Sequence, residues 1–155
     1  MSVAVSACTQ TPFQPASHDP VACRDATGDW SGAVDSTELV LAGVSRARAN
    51  DVRCGDPNDH VRICRALFLL ATLDPALHLD HPPRRQEVGD ALSWALQDAE
   101  SVATPPLVDA LRILHSATRT LTTSTNERHL SDALAMRARP DVTDAIDDHW
   151  RSSCS

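Results

Sequence analysis

Val88-Gly89-Asp90-Ala91-Leu92-Ser93-Trp94-Ala95-Leu96-Gln97-Asp98-Ala99-Glu100-Ser101-Val102 is the stretch that decides the fold. Val88, Ala91, Leu92, Ala95, Leu96, Ala99 and Val102 recur at intervals of three and four, which places them on one face of an α-helix. Pro82-Pro83 stands ahead of this pattern, where proline leads into a helix rather than breaking one.

Reading outward, Thr104-Pro105 restarts the chain, and Leu107, Leu111, Leu114, Thr118 and Leu121 line the next helical face. Asn126 caps a shorter helix carrying Leu130, Ala133, Leu134 and Arg137, which ends before Pro140. The last helix starts near Asp141 and turns Val142, Ala145, Ile146, His149 and Trp150 to one side. Upstream, Asn58 or Asp59 caps a helix with Val61, Cys64, Phe68 and Ala71 on one face, widened by Leu67 and Leu70. Being apolar nearly all round its second half, it is the expected central helix. Before it, Asp35 and Glu38 form a capping-box-like start for Leu39, Val40, Gly43, Val44 and Ala47. No alternating strand pattern occurs. The expected fold is therefore all-α: an irregular bundle of five to six helices over residues 35–155, behind a largely irregular N-terminal tail over residues 1–34. Pro12, Pro15, Pro20, Gly28 and Gly32 leave that tail no room for a regular helix.

The composition excludes several chemistries. The 155 residues include 14 arginines but no lysine and no tyrosine. That removes Schiff-base, pyridoxal-phosphate and P-loop lysines together with catalytic tyrosines. A net charge of −7 repels phosphate backbones, so nucleic acid is not an expected partner. The longest apolar run, Ala66 to Leu73, is far below the roughly 20 residues a membrane-crossing helix needs, so no transmembrane segment is expected.

Cys54, His60 and Cys64, followed by His78 and His81, form the leading cluster with metal-ligand chemistry; Asp144 and Asp148, on one side of the last helix, are a second that could hold a divalent cation. His60 and Cys64 lie four apart and share a helix face, while Cys54 and a histidine from His78 or His81 can complete a tetrahedral zinc site. The packing alternative is that Cys64 simply fills a core position. Asp141, Asp144, Asp147 and Asp148 read as a solvated helix face, with the first-turn carboxylate complementing the helix dipole. Val5-Ser6-Ala7-Cys8 looks like a bacterial lipobox, in which the cysteine carries lipid; that reading requires a true start upstream of Met1. The other four cysteines would then be free to form two disulfides.

No catalytic signature stands in the chain. The expected function is a non-enzymatic protein–protein interaction module, an adaptor, regulator or assembly factor that binds a protein partner or itself in the cytoplasm and needs no cofactor. Trp94 and Trp150 are its candidate anchors, since tryptophan is enriched at binding hot spots. One alternative is a small zinc-dependent helical enzyme or sensor built on Cys54, His60, Cys64 and His81. The other is an exported or lipid-anchored helical domain held through Cys8.

Overall fold

The computed structural model describes residues 36–155. Among them are six α-helices and no strand: α1 Thr37–Cys54, α2 Asp59–Thr72, α3 Pro82–Glu100, α4 Leu107–Thr123, α5 Glu127–Arg137 and α6 Pro140–His149. A 3₁₀ turn, Pro75–His78, joins α2 to α3, and a wider π-type turn, Trp150–Cys154, ends the chain. The all-α architecture agrees with the periodicity. The expected tail and the lipobox cysteine Cys8 lie outside the described residues.

Helix α3 buries Val88, Ala91, Leu92, Ala95, Leu96 and Ala99, the face read from its spacing. Helix α4 answers with Leu107, Leu111, Leu114, Thr118 and Leu121, again the expected positions. These two helices are the centre of the bundle. They approach closely enough that Gly89 lies under Thr122. Helices α2, α5 and α6 pack around them, and Val142 and Ile146 tie α6 into the same core.

Helix α2 is not the central element that its apolar run suggests. Its buried face is Ile63, Arg65, Ala66, Leu67 and Leu69, while Val61, Cys64 and Phe68 are only half-buried and Ala71 is exposed. The apolar run is wider than one buried face needs, so composition alone did not fix which edge faces inward.

Local chemistry sets the helix ends. Asn58 Oδ1 accepts the Val61 amide at 2.9 Å, and Asn126 Oδ1 accepts the amides of Arg128 and His129 at 3.0 and 3.1 Å. His81 caps α3, its Nδ1 accepting the Arg84 amide at 3.2 Å. Helix α1 begins instead after Ser36, which makes no side-chain capping bond. Helix α4 starts at Leu107, two residues later than the Thr104-Pro105 signal. Arg85 is buried and reaches across to the far end of α4, donating to the Leu121 and Ser124 carbonyls at 2.6 and 2.5 Å. It thereby satisfies carbonyls that a helix C-terminus leaves unpaired.

Candidate functional site

Half-buried charge is concentrated where α1, α2 and α3 meet. Arg62 and Arg65 stand one turn apart on α2, and both reach Asp98 of α3. Arg62 Nε donates to both Asp98 carboxylate oxygens at 3.1 Å, and its Nη2 donates to Oδ1 at 2.6 Å. Arg65 Nη2 bridges Asp98 Oδ2 and Asp51 Oδ2, each at 2.8 Å. Burial pushes the Asp98 carboxyl up. The hydrogen bonds and charges of Arg62 and Arg65 more than reverse that push and hold it below the usual carboxylate range.

Trp94 lies one turn before Asp98 on α3. The Arg65 guanidinium carbon sits over its ring at 4.5 Å from the centroid, and that of Arg48 at 5.5 Å. Trp94 and Trp150 are both partly buried and packed against the main core. Their contacts make them part of the body that holds the helices together, with Trp94 serving as a platform for two guanidinium groups. A charge network of this kind consumes its own donors and acceptors. Among its atoms only Arg65 Nε is buried without a hydrogen-bond partner.

The expected zinc ligands fare differently. His60 and Cys64 do come together, with both imidazole nitrogens 3.8 Å from Cys64 Sγ. Cys64, however, is joined to Cys154 in a disulfide. Cys54 is disulfide-bonded as well. Neither sulfur is then a thiolate, which is the form zinc takes. His81 is remote from both. Arg62, beside His60, meets Asp98 near the end of α3, whereas His81 caps its beginning. From Pro82 to Asp98 the helix rises roughly 24 Å. The set Cys54, His60, Cys64 and His81 therefore does not converge on one point, because α2 and α3 run antiparallel. Among the described residues no group of three or more His, Cys, Asp or Glu side chains is placed to hold a metal ion.

Other polar side chains close contacts between helices. His115 Nδ1 meets Glu100 Oε2 at 2.8 Å, joining α4 to α3. Arg137 pairs with Asp74 through two bonds of 2.8 and 3.0 Å, joining α5 to the turn before α3. Asp144, Asp147 and Asp148 are exposed, as a solvated face requires. Between α4 and α5 runs an open groove of about 840 Å³. Ala117 and Ala133, both buried, line it together with Ile113, Met136, Arg119 and Asp132.

Sequence reasoning missed two features here. One is the burial of Arg65, whose only sequence signal was its place immediately before the apolar run Ala66 to Leu73. The other is the pairing of Cys64 with Cys154, since five cysteines at irregular spacing allow many partners. Among the described residues no helix is long and apolar enough to cross a membrane. No known protein family matches the chain, and no curated protein or solved structure shows a significant similarity to it.

Proposed function

We propose that this chain is a non-enzymatic helical interaction module that works in an oxidising setting outside the cytoplasm. The observation that carries the reading is the Cys64–Cys154 bridge, which ties α2 to the last turn across 90 residues of sequence. The bonded state of Cys54 adds to it. Disulfides persist where thiols are not kept reduced, which favours the exported alternative over the cytoplasm expected from sequence. An anchored form would carry its lipid on Cys8, leaving four cysteines for two bridges.

The interaction role is supported by how the charged side chains are used. Arg62, Arg65, Asp98, Arg85, Arg137, Asp74, His115 and Glu100 each serve a contact between elements of the fold. Trp94 and Trp150 support the body, so the surface offered to a protein partner, or to a second copy, is the α4–α5 groove. Exposed Leu134 and Met136 lie on one of its two helices.

The test is native mass spectrometry on full-length protein prepared without chelator or reductant, followed by alkylation under denaturing conditions. A metal-free mass with Cys54, Cys64 and Cys154 protected from alkylation supports the reading. Five alkylated cysteines would return the chain to a reducing compartment. A metal mass lost on denaturation would restore the zinc alternative. A diacylglyceryl mass on Cys8 in protein made from the complete upstream reading frame would establish the anchor.

A further inference from the structure

We propose that the Cys64–Cys154 bridge is a thiol–disulfide exchange site, in which an external thiolate attacks Cys154 and Cys64 leaves as a thiolate stabilised by His60. The proposal rests on the bridged form of the chain, as the functional reading does, but adds a direction to its chemistry.

The two sulfurs have unequal surroundings. Cys64 Sγ lies 3.8 Å from both ring nitrogens of His60, which sits one turn earlier on the same helix face. His60 is exposed to solvent at the start of α2. A histidine ring at that distance can donate an N–H to a departing Cys64 sulfur, and a sulfur whose thiolate is so stabilised is the better leaving group in exchange. Cys154 lies in the last turn of the chain, between the exposed serines Ser153 and Ser155. Both cysteines are half-buried rather than enclosed, Cys154 being packed against the edge of the main core.

The step balances with a dithiol as reductant. Its first thiolate bonds to Cys154 Sγ, the Cys64–Cys154 bond breaks, and the electron pair stays on Cys64 Sγ. The second thiolate then attacks the reductant sulfur of the mixed disulfide and releases Cys154. The dithiol becomes a cyclic disulfide by losing two electrons, the protein gains them, and the two thiol protons end on Cys64 and Cys154. Opening the bond removes the covalent tie between α2 and the Trp150–Cys154 turn, whose Trp150 packs on the core. The state of this bond thus controls how firmly the end of the chain is held.

A monothiol stops the reaction at the first step and reveals its direction. Oxidised full-length protein is exposed to glutathione, quenched with iodoacetamide and mapped by peptide mass spectrometry. The expected product carries glutathione on Cys154 and carbamidomethyl on Cys64, exceeding the reverse product roughly fivefold or more. His60→Gln, which removes the imidazole from an exposed position, should bring the two products towards parity. His60→Arg, which supplies a positive charge, should retain the preference. Glutathione chiefly on Cys64, a preference unchanged in His60→Gln, or no adduct until denaturant is added would each overturn the exchange site while leaving the bridge and the functional reading in place. Free thiols at both positions before any glutathione is added would remove the bridge itself, and both proposals with it.

Discussion

Gly89 of α3 faces Thr122 of α4 so closely that a Cβ on Gly89 would fall 1.9 Å from Thr122 Oγ1 and 2.6 Å from its Cβ. At this contact the two central helices leave no room for a side chain at position 89. Thr122 cannot turn its hydroxyl away cheaply, because Oγ1 already donates to the Thr118 carbonyl at 2.6 Å. In an exposed helix, glycine to alanine gains about 1 kcal/mol. Here overpacking reverses that sign, since even an alanine at position 122 would leave a Cβ in the way. Gly89→Ala should lower stability by about 1–3 kcal/mol, and Thr122→Gly in the same chain should recover part of it. Urea denaturation of the two variants measures both effects; a stabilised Gly89→Ala would mean that the helices stand further apart.

Asp98 supplies a pH dependence with a definite sign. Its carboxyl is held below the ordinary range in the folded chain, so its contribution is fully present above the unfolded value of about 3.9. That contribution is lost as pH falls through the lower, folded value. Asp74, which burial raises and Arg137 lowers further, behaves the same way. Stability should therefore fall steeply below about pH 4. Asp98→Asn should flatten the fall, because one of the two carboxylates no longer titrates. Asp98→Ala leaves Arg62 without its main partner and Arg65 with only Asp51, so it should cost about 3–5 kcal/mol at neutral pH. Denaturant midpoints from pH 7 to pH 2 compare the three proteins.

How much of this was legible in the sequence differs from helix to helix. The faces of α3 and α4 were readable because each is strictly periodic and polar on its other side. Helix α2 was misjudged because Phe68, Leu70 and Ala71 extend its apolar surface beyond the strip that is buried. Apolar excess hides the phase of a helix. The site was less legible still. His60 and Cys64 were rightly placed on one face, since four residues make one turn. His81 was to join them only if the chain from α2 to α3 folds back to that point, and no local pattern encodes that. Cys154 was out of reach for the same reason, because its meeting with Cys64 is set by how α6 packs.

Closing a loop of 90 residues restricts the unfolded chain severely, so the Cys64–Cys154 bridge should contribute about 4–5 kcal/mol. The double variant Cys64→Ser with Cys154→Ser should show that loss while keeping a helical circular dichroism spectrum. Cys54 stays as it is in that variant, so its own bond does not enter the comparison. Equal denaturant midpoints for variant and parent would mean that the reduced chain is already constrained near α2 and the last turn.

Trp94 gives the sharpest separation between a supporting and a partner-binding role. Its ring lies against Arg65 at 4.5 Å and Arg48 at 5.5 Å, and it packs on the main core. Truncation opens space beside a buried arginine and removes both cation–π contacts. Trp94→Ala should therefore destabilise the chain by about 3 kcal/mol or more. Trp94→Phe keeps an aromatic face for Arg65 and should recover a large part of that loss. An anchor for a partner would behave in the opposite way: the alanine variant would keep the parent's midpoint and lose only binding. Thermal or urea unfolding of the isolated protein decides between them without any partner in hand, because an anchor idle in the free chain contributes nothing to its stability.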